Sequence, residues 1–236
     1  MRIGLTGSMA AGKSSVSAIL RRSGFYIVDA DKTAHAALGF PKVIAELKAA
    51  FGEAVLDENG LIDRKALAKA AFASKESTER LNSIVHPHVF KAMLDEAAEA
   101  EANGQEHIVF DVPLLFETGF ERFLEKVLCV TADEETRYTR IMLRDGLSRE
   151  EAASRIARQM PQEEKAALSD AVIKNNGTPC ELVFALASAL GSIGVSLPAV
   201  PPSPSPSPSS STAPSSSPSD ECENELDSYL PSSMDD

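Results

Sequence analysis

Eight residues near the start of the chain, Gly7-Ser8-Met9-Ala10-Ala11-Gly12-Lys13-Ser14, fit the spacing GxxxxGK[ST]. They lie between a short apolar run, Arg2 to Thr6, and a segment with Val16, Ile19 and Leu20 at helical spacing. A phosphate-binding loop needs that strand, loop and helix in that order. Gly12 lets the backbone come close to an anion, successive N–H groups and the helix N-terminus hold it, and Lys13 adds a point charge for β- and γ-phosphates. Ser14 is placed to ligate Mg²⁺. The expected nucleotide contacts are therefore Gly7, Ala10, Ala11, Gly12, Lys13, Ser14 and Ser15. No NKxD tetrapeptide, the base-reading signal of a GTPase, occurs anywhere, so ATP is the expected nucleotide.

The text after the loop alternates. Phe25 to Val28, His107 to Phe110, Lys126 to Thr131 and Ala171 to Ile173 are β-rich runs separated by helical lengths with no tight hairpin signal. That pattern predicts βαβ units and a five-stranded parallel sheet covered on both faces, a three-layer α/β/α class. Lys32 to Glu101 is rich in Ala, Leu, Lys and Glu and reads as an all-helical insertion, with Pro41, Gly52, Gly60 and Pro87 as punctuation. His86-Pro87 predicts a helix junction. Asp133 to Leu168 reads as helical and arginine-rich, broken at Gly146 and Pro161.

Acids stand at the ends of the predicted strands, where open α/β sheets gather ligands. Asp31 has two roles open to it: accepting a proton from an attacking hydroxyl, or capping a helix before Lys32. Asp111 reads as a Walker-B-type acid holding Mg²⁺ or as a turn acid. Arg137, Arg140 and Arg144 share one face of a helix. That face either closes over transferring phosphoryl oxygens or is a solvated face paired with Glu134, Glu135, Asp145 and Glu151. His35, His88 and His107 show no metal spacing.

Composition sets limits. The 236 residues carry a formal charge of -12, which argues against a nucleic-acid partner. The segment 197–236 holds 9 of the 14 prolines, 13 serines, seven acids and no Lys or Arg, and is expected to be a disordered acidic tail. Within it Leu226, Tyr229 and Leu230 fall at i, i+3 and i+4, the spacing of a short helix that could dock on a partner not yet identified. Three cysteines without CxxC spacing give no zinc site and fit a reducing compartment. The apolar stretch Val183 to Val195 is shorter than a membrane span and cut by Ser188, Gly191 and Ser192, so no membrane partner and a cytoplasmic location are expected.

Several segments together resemble the dephospho-CoA kinase family: LTGSMAAGKSS at 5–15, VDADKTAH at 28–35, LNSIVHPHV at 81–89, DVPLLFETG at 111–119, RIMLRDGLSREEAASRIARQMPQEEK at 140–165 and DAVIKNNG at 170–177. The resemblance covers nearly all of residues 1 to 190. It implies a P-loop NTPase fold like that of nucleoside monophosphate kinases, as a kinase domain over 1–196. That domain divides into a core (1–31, 105–135, 165–196), a helical substrate domain (32–104) and a mobile helical lid (about 136–164). The implied reaction moves the ATP γ-phosphoryl group to the ribose 3′-hydroxyl of 3′-dephospho-CoA, with Mg²⁺ as cofactor. Carried over by position, Asp31 is the base, Lys13 and Ser14 serve ATP and Mg²⁺, and Arg140 and Arg144 belong to the lid. The His86-Pro87 segment would lie near the acceptor. Ala10, Ala11, His35 and Lys174 depart from the common pattern.

Overall fold

The computed structural model describes residues 1–198. The expectations for the Ser/Pro tail beyond that point, including Leu226, Tyr229 and Leu230, lie outside the described residues. Five parallel strands, β1 (Arg2–Gly7), β2 (Tyr26–Asp29), β3 (Ile108–Asp111), β4 (Lys126–Thr131) and β5 (Ala171–Lys174), form one sheet in the order β2-β3-β1-β4-β5. Between them run α1 (Lys13–Arg22), α2 (Ala30–Ala37), α3 (Pro41–Phe51), α4 (Arg64–Ala71) and α5 (Lys75–Ala102). They are followed by α6 (Leu115–Thr118), α7 (Glu134–Asp145), α8 (Arg149–Ile156), α9 (Gln162–Ala167) and α10 (Pro179–Ser192). The chain builds β2 and β3 on one side of β1 and then β4 and β5 on the other. Open sheets bind ligands outside the strand carboxyl ends at such a reversal.

Strand alternation sorts side chains onto two cores. Ile3, Leu5, Val109, Leu128, Val130 and Ile173 pack with Val16, Ile19 and Leu20 of α1 and with Leu182, Leu186 and Leu190 of α10. Ile108, Phe110 and Val127 share the other core with Val89, Met93 and Ala97 of α5 and with Leu115 and Phe120. Each fully buried Leu, Ile or Phe contributes roughly 1.5–3 kcal/mol, so these two cores hold the strand ends in register. Helices cover both faces, as the near-continuous apolar strands require.

The stretch between β2 and β3 is helical apart from an antiparallel bridge between Leu56 and Ile62. Pro41 opens α3 at its first turn and Gly52 closes it with φ 85°. A third, smaller core of Val43, Leu47, Val55 and Leu67 lies here. One expectation is corrected. No junction interrupts the chain at His86-Pro87: α5 continues for 28 residues with Pro87 inside it. Proline in a helix interior costs about 3 kcal/mol. Val89, Met93, Ala97 and Ala100, buried on the turns that follow, hold the helix against the sheet and offset that cost. Pro87 has no N–H to give to the Ser83 carbonyl one turn earlier.

Ser148 and Glu151 form a capping box that starts α8, and Thr178 with Glu181 does the same for α10. None of the described helices is long and apolar enough to cross a membrane.

Candidate active site

β1 ends at Gly7, and α1 begins at Lys13 with Gly12 as its N-cap. Gly12 has φ 94°, and a Cβ there would stand 2.0 Å from Asn175 Nδ2, so both backbone conformation and space demand glycine. The neighbour that crowds it also holds the loop. Asn175, buried just past β5, donates from its backbone N–H to the Thr131 carbonyl (2.8 Å) and from Nδ2 to the Ala11 carbonyl (2.8 Å). Arg140 of α7 donates to the carbonyls of Ala10 (3.2 Å), Ala11 (3.3 Å) and Asn175 (3.1 Å). Across one planar trans peptide, tying the Ala11 carbonyl to this side turns the Gly12 N–H the opposite way. Ala10 has φ 59°, so a residue with a Cβ takes a left-handed conformation in the loop. The Ser8 hydroxyl is buried in the loop without a hydrogen-bond partner among the described residues.

Asp111 closes β3 and pairs in register with Leu5 of β1 and Asp29 of β2. Its carboxylate accepts from Lys13 Nζ on one oxygen and Ser17 Oγ on the other. The strand-end acid and the loop lysine predicted from sequence are thus in direct contact. Ser14 is exposed in the first turn of α1 and Ser15 is half-buried behind it. Asp31 is exposed in the first turn of α2. The capping role open to it belongs to Asp29, whose side chain accepts from the Lys32 N–H (3.0 Å). Asp31 makes no hydrogen bond or ion pair among the described residues, which leaves its carboxylate available. His35, in the last turn of α2, and Lys174, at the end of β5, are both exposed.

The three arginines of α7 do not act as one face. Arg137 is buried, with Nε unpartnered among the described residues, and Arg140 reaches the loop. Arg144 instead pairs with Asp145 (2.8 Å), which Arg155 also contacts (3.0 Å). The hydrogen bond from Arg144 holds the Asp145 carboxyl below the usual carboxylate range. Of the two arginines expected at the phosphates, the structure brings only Arg140 to the loop. Helical spacing fixes where a Cα sits, but a side chain as long as arginine goes to the nearest acceptor on a neighbouring element.

Sequence reasoning missed four contributors. Asn175 is one, although the strand-end rule applied to Asp31 and Asp111 also points to it. Gln159, between α8 and α9, accepts from the Met9 N–H of the loop (3.0 Å). Lys165 is fully buried, pairs with Glu117 (2.8 Å) and donates to the Pro113 carbonyl (2.8 Å), which also accepts from Thr6 Oγ1 (3.2 Å). Glu117 further accepts from the Met160 N–H (3.2 Å). No spacing rule marks these residues, because their partners lie in other parts of the chain.

Along α5 and α6 a cavity of about 570 Å³ is lined by Ser83, His86, Phe90, Lys91, Arg122 and Phe123, among others. His86 and Phe90 stack at 5.7 Å, Phe90 meets Phe123 edge-on at 6.1 Å, and the Arg122 guanidinium lies 4.9 Å over the Phe123 ring. Burial pushes the His86 imidazole below its ordinary range, so it is neutral at neutral pH. The wall is aromatic, with Arg122 on it and with Lys91 paired to Asp95 (2.5 Å).

The sequence profile of the dephospho-CoA kinase family matches residues 1–181. A dephospho-CoA kinase of Geobacter sulfurreducens is 46% identical over 182 residues, 76% of this chain and 92% of that one. That of Geobacillus kaustophilus is 43% identical over 179 residues, 75% and 89% of the two chains. Among solved structures, TT1252 from Thermus thermophilus superposes with TM-score 0.70 at 38% identity, covering 81% of this chain and 96% of that one. The dephospho-CoA kinase of Campylobacter jejuni gives TM-score 0.63 at 30% identity with the same coverage. A phosphate loop, a strand-end acid touching its lysine and similarity across the whole described sheet agree: the chain belongs to the dephospho-CoA kinase family.

Proposed function

We propose that the protein transfers the γ-phosphoryl group of ATP to the ribose 3′-hydroxyl of 3′-dephospho-CoA, giving coenzyme A and ADP. The observation that carries this reading is the meeting of Lys13 and Asp111 at the carboxyl edge of the sheet, beside the turn that presents an uncommitted Asp31. In the reaction the 3′-hydroxyl loses its proton to Asp31 as its oxygen bonds to the γ-phosphorus, and the bond from that phosphorus to the β–γ bridging oxygen breaks, releasing ADP. Lys13 and the loop amides meet charge that spreads over the transferring oxygens while Arg140 holds the loop carbonyls in place, so catalysis is chiefly positioning and electrostatic stabilisation. Arg144 joins them only if it leaves Asp145 when the lid, about 136–164, closes.

Ser14 and Asp111 offer hard oxygen donors that suit Mg²⁺ shared with nucleotide phosphates. When bound, the ion would neutralise phosphate charge. The aromatic cavity along α5 supports the helical stretch 32–104 as the acceptor domain, with His86 and Phe123 against an apolar or aromatic part of the acceptor and Arg122 near its diphosphate.

The test is an acceptor panel with ATP. Dephospho-CoA should be phosphorylated, and AMP, UMP or CMP should not; the reverse result removes the proposal in favour of a nucleoside monophosphate kinase. Asp31→Asn should lower kcat by about 10²–10⁴-fold while ATP binding is largely kept.

A further inference from the structure

The contact between Gln159 and the phosphate loop has no part in the reaction as described. Gln159 is half-buried, and its Oε1 accepts the Met9 N–H at 3.0 Å, across 150 residues of chain. An uncharged carboxamide oxygen thus occupies one of the amides of a loop built to hold anions. The rest of the loop is engaged in a related way: Lys13 rests on Asp111, while Arg140 and Asn175 hold the Ala10 and Ala11 carbonyls. The segment carrying Gln159 is itself pinned. The next residue, Met160, donates to Glu117, and Glu117 is bound to the fully buried Lys165. Glu117, in α6, is tied through Lys165 to the Pro113 carbonyl, which Thr6 Oγ1 of β1 also reaches, so polar contacts run from the segment after α8 back to the sheet beside the phosphate loop.

We propose that Gln159 is a displaceable stopper on the phosphate loop: it holds the Met9 amide in the nucleotide-free protein and gives it up to a phosphate oxygen of ATP. The inference rests on the reading that this loop takes ATP. An anionic oxygen makes a hydrogen bond roughly twice as strong as a neutral one, so phosphate wins the competition. Because glutamine is neutral, its release strands no charge. The Glu117 bond to Met160 keeps the segment within reach during the exchange. Gln159 is a positioning residue for lid and nucleotide.

The experiment measures ATP affinity by titration calorimetry for the full chain and for Gln159→Ala and Gln159→Glu, with hydrogen exchange at the Met9 amide. Removing one hydrogen bond that competes with ligand should tighten ATP binding by about fivefold in Gln159→Ala. Gln159→Glu keeps an acceptor for Met9 but sets a carboxylate against the phosphates, and should weaken binding by at least about tenfold. The Met9 amide should exchange faster in nucleotide-free Gln159→Ala than in the parent protein, and both should be slow with ATP. Unchanged affinity in both variants, or weaker binding in Gln159→Ala, overturns the stopper. If the alanine variant does not fold, the glutamate variant and the parent's own Met9 exchange with and without ATP decide. Failure of the parent protein to bind ATP at all would instead remove the underlying reading of the loop.

Discussion

The phosphate loop and the cavity along α5 are held by opposite means. At the loop four residues are tied to residues more than ninety positions away: Lys13 to Asp111, Ala11 to Asn175, Ala10 to Arg140 and Met9 to Gln159. The cavity is shaped by the rings of His86, Phe90 and Phe123. A loop that must present donors in one geometry needs directional bonds. On the proposed reading the cavity wall receives an apolar or aromatic surface of the acceptor, which needs area, and packing supplies it. The two ends of the site should therefore respond differently to substitution: chemistry should be lost at the loop, and stability and acceptor binding should shift at the cavity.

The largest contrast is expected at Lys13. Lys13→Ala should lower kcat/KM by roughly 10²–10³-fold or more, because it removes the charge nearest the transferring group. Steady-state kinetics measures it, and near-normal turnover would remove the loop from the chemistry. Next, Arg140 and Arg144 stand one helical turn apart with different partners. Arg140→Ala should cost about tenfold in kcat/KM through a loosened loop. Arg144→Ala, which breaks an exposed pair worth about 0–1 kcal/mol, should cost under about threefold unless the arginine swings into the closed site. Equal and large losses would show that Arg144 reaches the phosphates.

At the cavity, His86 gives a pH signature. Burial lowers its folded pKa below the ordinary value of 6.5, so the unfolded chain binds the proton more readily as pH falls. Its contribution to stability is complete above that value and is lost as pH drops below it. His86→Gln should flatten this acid-side decline when melting temperature is compared at pH about 7.5 and about 5.5. The smallest effect is expected at Ala10. Its left-handed backbone costs roughly 1 kcal/mol, so Ala10→Gly should raise the melting temperature by about 2–4 °C at most, offset in part by the freer unfolded chain.

Legibility followed the same division. The phosphate loop, all five strands, the strand-end acid Asp111 and the break at Pro161 could be read because each depends on local spacing or on a residue with a fixed conformational habit. The junction predicted at His86-Pro87 failed because buried contacts of Val89, Met93 and Ala97 outweighed what proline does locally. The cap that Asp31 could have supplied before Lys32 comes from Asp29, two residues earlier at the end of β2.

What the sequence determined alone was the order of elements, the anion-binding loop and its family, since all of these are encoded within a few residues of one another. The tertiary structure decided the rest. It turned Arg140 inward and Arg144 outward, and it set Asn175 where a Cβ on Gly12 would stand. It also placed Gln159 on the Met9 amide. These contacts join residues distant in the chain, and a directional bond of about 3 Å depends on where packed elements bring its two ends rather than on any spacing along the backbone.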